Sequence, residues 1–134
     1  MTSSGPSYAE VVEGVRAALA AYAHALDDGR TDDVVAMFCP DGVLDTGRGT
    51  IEGHDALRAA FAKWVPQVPQ RHLVLNTHVR EWSSDVAAAV SDVVFLARPD
   101  DTWSVQLVGR YEDLLHRSDD TGSWRFHRRH AVFA

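Results

Sequence analysis

The chain has 134 residues, of which 46% are hydrophobic and 24% are charged, and its formal net charge is −6. This length predicts a single domain with a sizeable core, and the acidic balance argues against nucleic acid or an anionic membrane surface as a partner. Cys39 is the only cysteine, which excludes an internal disulfide and a cysteine-based zinc site. No stretch approaches the roughly 20 apolar residues of a membrane span, and no signal peptide is evident, so we expect a cytoplasmic protein.

The first half of the chain predicts three helices. Residues 1–7 are polar and predict a flexible tail, after which Ser7 and Glu10 have the spacing of a capping box. The first helix carries an apolar stripe made of Val11, Val15, Leu19, Tyr22 and Leu26. The stripe predicts about five turns, which residues 27–29 end. Thr31 predicts the cap of a second helix that Pro40 stops, and residues 55–65 predict a third helix.

The second half of the chain predicts strands. Residues 71–82, 86–97, 102–116 and 124–133 are rich in strand formers, and short turn-forming segments separate them. Long strands joined by hairpin-length loops predict an antiparallel sheet. Three helices followed by such a sheet predict an α+β fold, a single domain over residues 8–134, with the helices on one face of the sheet.

The first of these long strands carries polar residues on an apolar background. Side chains alternate along a strand, so His72, Val74 and Asn76 share one face. If this face lines a cavity, His72 can act as a base, and Asn76 can hold a ligand or the imidazole ring. The alternative is a core histidine with a hydrogen-bonded ring, together with an Asn76 bonded to a neighbouring strand. The spacing alone leaves both interpretations open.

Six short segments follow one another in an order that is typical of a known family. They are 22–29 (YAHALDDG), 38–42 (FCPDG), 51–53 (IEG), 71–76 (RHLVLN), 109–113 (GRYED) and 124–129 (WRFHRR). In this order they resemble the SnoaL-like branch of the nuclear transport factor 2-like superfamily over residues 8–133. The resemblance implies a cone-shaped, curved antiparallel sheet with three N-terminal helices that enclose a pocket. The superfamily includes isomerases, dehydratases, cyclases, epoxide hydrolases and non-catalytic binders, so the fold does not imply one activity.

The resemblance also implies roles for individual residues. The pattern is closest to scytalone dehydratase and the bile-acid dehydratases, which implies a catalytic pair of Asp27 and His72 with Tyr22 nearby. Arg129 matches a pocket arginine of that group, and Asp92 matches its second acid, so both are expected to contact the substrate together with Asn76.

Each of these residues also has a structural interpretation. Asp27 can be a solvated helix stop, and Tyr22 belongs to an apolar stripe that is buried in either case. Arg129 falls on the strand face opposite to Phe126 unless a β-bulge intervenes. Asp92 lies on an apolar strand, where a lone acid is either paired or functional.

Together, the residues predict a cofactor-independent lyase of the dehydratase type. Its substrate would be a small hydrophobic hydroxy-carbonyl compound, polyketide- or steroid-like, and Trp64 would line the pocket that holds it. The alternatives are an isomerase or polyketide cyclase with the same pocket, and a non-catalytic ligand-binding or dimerisation module. Epoxide hydrolysis would require Asp92, Arg110 and Asp113 around one water molecule.

The sequence also leads to expectations about cofactors, metals and oligomeric state. No phosphate loop, dinucleotide fingerprint or dense cluster of histidines and carboxylates is evident, so we expect no cofactor and no metal. The outer face of a curved sheet is left uncovered by its helices, and the segment 102–116 is expected to place four apolar residues there: Trp103, Val105, Leu107 and Leu115. Such faces usually find a partner, which predicts a homodimer or homotrimer.

Overall fold

The computed structural model describes residues 5–133, so most of the predicted tail, residues 1–4, lies outside the described residues. Helix α1 spans Tyr8–Asp27, α2 spans Thr31–Ala36 and α3 spans His54–Lys63. The predicted capping box is present: the Glu10 N–H donates to Ser7 Oγ, and the Ser7 N–H donates to Glu10 Oε1, each at 3.2 Å. The predicted Thr31 cap is wrong by one position, because Arg30 occupies the cap and makes no side-chain capping bond.

Six strands form one sheet. They are β1 (Phe38–Asp45), β2 (Thr50–Glu52), β3 (Gln70–Trp82), β4 (Val86–Ala97), β5 (Ser104–Arg117) and β6 (Trp124–Phe133). The four predicted long strands are therefore present with bounds that differ by at most two residues. The second helix ends at Ala36, before the predicted stop at Pro40, because Phe38 already pairs with Phe126 of β6.

The strand order in the sheet is β2-β1-β6-β5-β4-β3. Strands β3 to β6 form an antiparallel meander, as expected. Strand β1 pairs with β6 in parallel, which the long connection through α3 and three strands permits. The predicted α+β class, with a curved sheet and helices on one face, is confirmed. Among residues 5–133, no helix has the length and apolar character needed to cross a bilayer.

The core lies between the helices and the inner face of the sheet. The predicted stripe of α1 is buried, and its residues pack with Phe38, Leu57, Phe61, Leu115 and Phe126. Gly14 lets α1 approach the sheet closely: a Cβ there would lie 2.5 Å from Cδ1 of Trp124. Burial of these side chains fixes which face of the sheet points toward α1.

Several β-bulges interrupt the sheet, and two of them decide which of the predicted site residues face inward. In β3, Leu75 pairs with Asp92 and His78 pairs with Val90, so Asn76 and Thr77 together oppose one residue. Asn76 has a φ of +55°, a left-handed conformation that asparagine tolerates. The bulge shifts the alternation by one residue, so the inward face continues through Thr77 rather than Asn76.

Strand β6 contains the second bulge. Phe126 pairs with Leu115 and Arg128 pairs with Leu114, which leaves His127 as the extra residue. After this residue the inward positions are Arg129 and Ala131, which are both buried. The bulge that the sequence required for an inward Arg129 is therefore present.

Candidate active site

Asp27 and His72 meet where the end of α1 reaches the start of β3. His72 Nδ1 lies 2.6 Å from Asp27 Oδ1, and the His72 backbone N–H donates to Asp27 Oδ2 at 2.8 Å. The two side chains are 12% and 6% exposed. Because an ionised carboxylate only accepts hydrogen bonds, we assign the imidazole proton to Nδ1. This tautomer leaves Nε2 of a neutral ring free to accept a proton.

The position of Asp27 follows from the fold. It is the last residue of α1, where the helix dipole opposes a carboxylate by roughly 0.3–1 kcal/mol at an exposed site. Gln70 Nε2 donates a further hydrogen bond to Oδ1 at 3.2 Å, so three donors offset this cost. Strand β3 is an edge strand, and the carboxylate binds a backbone N–H that has no neighbouring strand on that side. These contacts fix the position of Asp27 against the imidazole.

The His72 ring borders a cavity of about 390 Å³ between the helices and the inner face of the sheet. The lining is largely aromatic and aliphatic, and it includes Tyr22, Leu26, Leu44, Phe61, Trp64, Phe95, Leu107, Tyr111 and Phe133. The His72 ring packs against Phe95, with their centroids 4.6 Å apart. A cavity of this size and character accommodates a small, flat apolar ligand with its reacting atoms against the imidazole.

A second groove lies between α1 and β3 and has a volume of about 630 Å³. His72 also borders it, but its other walls are the exposed face of α1 and residues 73–77. The groove is larger than the aromatic cavity, yet neither pocket tyrosine lines it. We therefore place the candidate site in the aromatic cavity, where His72, Tyr22 and Tyr111 come together.

Two buried tyrosines stand on the cavity wall. Burial raises the pKa of Tyr22, and the nearby Arg129 guanidinium only partly opposes this rise. Burial likewise raises the pKa of Tyr111. Both phenols therefore stay protonated at neutral pH and can donate a hydrogen bond to a ligand oxygen.

Arg129 lies behind these tyrosines rather than on the cavity wall, so its predicted contact with substrate is wrong. Its side chain is fully buried and forms a bidentate pair with Asp113, in which Nε donates to Oδ1 at 2.8 Å and Nη2 donates to Oδ2 at 3.0 Å. Its guanidinium carbon lies 3.6 Å from the ring centroid of Tyr111 and 4.5 Å from that of Tyr22. Arg129 thus anchors the two tyrosines that border the cavity.

Asn76 and Asp92 do not line the aromatic cavity, so their predicted substrate contacts lack support there, although Asn76 borders the groove between α1 and β3. Asn76 Nδ2 donates to Asp92 Oδ2 at 2.8 Å, and Arg110 Nη2 donates to Asp92 Oδ1 at 3.1 Å. All three lie on the outer face of the sheet. The bulge at Asn76 turned this residue outward, and in β4 the inward positions are Ser91 and Val93, both fully buried.

Epoxide hydrolysis would require Asp92, Arg110 and Asp113 around one water molecule, and the structure does not bring these three residues together. Asp92 and Arg110 pair on the outer face, whereas Asp113 points into the core and pairs with Arg129. The alternation of β5 separates Arg110 from Asp113, which are three residues apart on one strand. No single water molecule can contact all three.

The sequence interpretation placed Trp64 on the pocket wall, and the structure puts it there, 45% exposed and edge-on to Phe61 at 5.3 Å between centroids. It missed Tyr111 and Gln70. Tyr111 occupies an inward position of β5 together with Asp113 and Leu115, on a face that the sequence alternation did not identify because the β-bulge between the partners of Phe95 and Leu96 shifts it. Gln70 precedes the predicted strand and gave no pattern by which to find it.

Several solved structures share this fold. Rv3472 of Mycobacterium tuberculosis, a protein of unknown function, is 24% identical with a TM-score of 0.85, and the match covers 92% of this chain and 72% of that one. A Novosphingobium aromaticivorans protein provisionally described as a scytalone dehydratase is 20% identical with a TM-score of 0.80, over 92% and 84% of the two chains. ActVI-ORFA of Streptomyces coelicolor is 17% identical with a TM-score of 0.82, over 92% and 97%.

Sequence comparison gives the family directly. No curated protein matches the sequence. The model of the SnoaL-like domain, in contrast, matches residues 7–130, which include all the helices and nearly all the strand residues around the cavity. The chain belongs to the SnoaL-like domain family.

Proposed function

We propose that this protein is a cofactor-independent lyase of the dehydratase type, with His72 as the base and Asp27 as its orienting carboxylate. The observation that carries the proposal is the 2.6 Å contact between His72 Nδ1 and Asp27 Oδ1 at the wall of an apolar cavity. A histidine whose Nδ1 is held by a carboxylate presents Nε2 as a proton acceptor. The cavity gives this nitrogen an apolar ligand on which to act.

The reaction that fits these groups is loss of water from a β-hydroxy carbonyl compound. Neutral His72 Nε2 takes a proton from the carbon next to the carbonyl, and the electron pair of that C–H bond forms the enolate. As the enolate collapses to the enone, the C–O bond of the β-hydroxyl breaks, and the imidazolium returns its proton to the leaving oxygen. The products are the enone and one water molecule, and His72 returns to its neutral form.

Asp27 and the tyrosines support this cycle. The Asp27 carboxylate stabilises the imidazolium that forms and holds the ring by the same hydrogen bond throughout. Tyr22, or Tyr111 beside it, donates a hydrogen bond to the carbonyl oxygen, on which negative charge develops. Asp92 was an expected acid for the leaving hydroxyl, but it lies on the outer face, so we assign that proton to His72 alone.

The cavity also limits the substrate. Its lining is aromatic on several sides, and its few polar groups are concentrated at His72, Gln70, Thr46 and the two tyrosines. A flat, uncharged polyketide- or steroid-like compound with one carbonyl and one β-hydroxyl matches this distribution. Larger or charged compounds would leave buried polar groups without partners.

A substrate screen tests the proposal. The protein is incubated with a panel of cyclic and aromatic β-hydroxy ketones, and each product is identified by mass and by enone absorbance. The proposal predicts loss of one water from at least one compound, and loss of this activity in His72→Ala. Surface variant His78→Ala is the matched control, because His78 lies on the same strand outside the cavity and should keep full activity.

The products separate the related activities. A product of unchanged mass with a moved double bond would indicate an isomerase, and a product with a new ring would indicate a cyclase. Both would retain His72 as the base but would overturn the dehydratase assignment. Tight ligand binding with no turnover across the panel would favour the non-catalytic module instead.

A further inference from the structure

The outer face of the sheet carries a side-chain cluster that the cavity does not use. Cys39 of β1, His116 of β5 and His127 of β6 each offer one ligand atom, and these three atoms lie within 4.8 Å of one another. Their neighbours Leu115 and Phe126 point into the core, so strand alternation directs the cluster to the opposite face. The cluster is therefore separated from the cavity by the thickness of the sheet.

The atoms of this cluster have few other partners. The rings of His116 and His127 stack, with centroids 4.3 Å apart and planes 7° apart. His127 Nδ1 is buried without a hydrogen-bond partner within residues 5–133, and Asp41 Oδ1 lies 4.0 Å from it. Cys39 Sγ has only a 3.8 Å contact with the Arg125 carbonyl. A buried nitrogen without a partner costs free energy that a ligand would recover.

We propose that Cys39, His116 and His127 bind a Zn²⁺ ion. A thiolate and two imidazoles are the ligand types that zinc prefers, and they disfavour the oxygen-seeking Mg²⁺ and Ca²⁺. Zinc bonds of roughly 2.0–2.3 Å place tetrahedral ligand atoms about 3.5 Å apart, so the cluster closes with side-chain shifts of about 1 Å. The fourth position is open to water, and Asp41 adds negative charge beside it.

This inference departs from the absence of a metal expected from the sequence. The single cysteine excludes zinc sites with two or more cysteine ligands, but it can still supply one ligand beside two histidines. The three ligands are far apart in sequence, and no short spacing connects Cys39 with the two histidines. Only the parallel pairing of β1 with β6 brings Cys39 beside them.

The ion would connect three strands that meet at the second bulge. Strand β1 follows α2 directly and joins the meander only through β6, so a bond from Cys39 to His116 and His127 adds a second connection. Because the ion would bind only the folded chain, it would stabilise the folded state by mass action. The site is independent of Asp27 and His72, so it does not depend on the proposed lyase activity.

Metal titration of the full chain tests the inference. Tag-free protein is stripped with a chelator and titrated with zinc sulfate by calorimetry, and with Co²⁺ by absorption spectroscopy. We expect one zinc per chain, a higher melting temperature with zinc, and a thiolate-to-cobalt charge-transfer band. Cys39→Ser and His127→Asn should each weaken zinc binding by about 100-fold or more, beyond the 10–100-fold cost of losing a supporting residue.

Matched variants locate the ion. His78→Gln and His72→Ala should bind zinc like the parent chain, and chelated Cys39→Ser should melt like the chelated parent. If Cys39→Ser does not fold, alkylation of the single cysteine in the parent replaces it: zinc should slow the reaction at least tenfold. Binding that survives loss of Cys39 and His127, binding that His72→Ala abolishes, or no stoichiometric binding would each overturn the proposal.

Discussion

At the residue scale, the buried pair of Arg129 and Asp113 supports the cavity wall but does not line the cavity. Both side chains are fully buried and share two hydrogen bonds, whereas Arg129 Nη1 has no hydrogen-bond partner among residues 5–133. The cost of desolvating two charges makes such a pair weak evidence of net stability. Removal of one partner is a different case, because the other charge then remains in the core alone.

The free energy of unfolding should show this asymmetry. Arg129→Ala leaves the Asp113 carboxylate uncompensated and should lower the free energy of unfolding by about 3–5 kcal/mol. The double variant Arg129→Met with Asp113→Leu should lose less free energy of unfolding than Arg129→Ala or Asp113→Leu alone, since it leaves no charge buried. Urea denaturation of the three variants checks this order, and single variants within about 1 kcal/mol of the parent would contradict a buried ion pair.

Tyr22 gives the stability a dependence on alkaline pH. Burial raises its pKa above the ordinary tyrosine value of about 10, so the folded chain holds a proton that the unfolded chain releases. The contribution is complete below the unfolded pKa and is lost as the pH rises through the folded pKa. Stability measured between about pH 8 and 11 should therefore fall less steeply in Tyr22→Phe than in the parent. Equal slopes would mean that the Tyr22 phenol is not buried.

At the element scale, close packing of α1 on the sheet depends on one glycine. Glycine in the interior of a helix is less favourable than alanine by roughly 1 kcal/mol, so Gly14→Ala on an isolated helix would stabilise it. In the folded chain the added Cβ would lie 2.5 Å from the Trp124 ring, which forces α1 away from β6. We predict that Gly14→Ala lowers the melting temperature, and Ala20→Gly, on the exposed face, serves as the propensity control. A stabilised Gly14→Ala variant would show that the contact between α1 and Trp124 accommodates the added methyl group.

The two bulges explain which parts of the site could be predicted from the sequence. Periodicity ended α1 near Asp27 and began β3 near His72, but only the family resemblance implied that the two residues form a pair. Asn76 was placed on the wrong face, since a left-handed residue inside a strand has no hydrophobic signature. The bulge at His127 was foreseen only as a condition for an inward Arg129, and its partner Asp113 carried no pattern that distinguished it from a surface acid.

At the scale of the whole molecule, the outer face of the sheet carries apolar side chains that this chain leaves uncovered. They are Leu73, Leu75, Val105, Val108 and Val132, each more than 40% exposed. The expectation that Leu107 and Leu115 lie on this face is wrong, because a β-bulge in β5 next to Leu107 shifts the alternation and both residues point inward. The pairings of Leu73 with Val94 and of Val94 with Val108 place the exposed positions of this face side by side across β3, β4 and β5. These apolar side chains lie on neighbouring strands of one face, an arrangement that suits a second copy of the same chain.

We therefore predict a homodimer or homotrimer assembled through this face. Val108→Arg, in the middle of the patch, should give a monomer by light scattering at micromolar concentration, because a buried charge without a partner disfavours association. Val86→Arg, at the far end of β4, is the control and should leave the parent's mass unchanged. A parent chain that is itself monomeric would contradict the prediction.

The coupling between Asp27 and His72 tests the central claim most directly. Turnover of the best β-hydroxy ketone is measured for Asp27→Asn, His72→Ala and the double variant, and ligand affinity is measured by calorimetry to confirm an intact cavity. Each single change should lower kcat/KM by about 10²–10⁴-fold, because neither group acts as the base without the other. The double variant should be little worse than His72→Ala alone. A double variant that loses the product of the two single effects would show that the residues act independently and would contradict the proposed dyad.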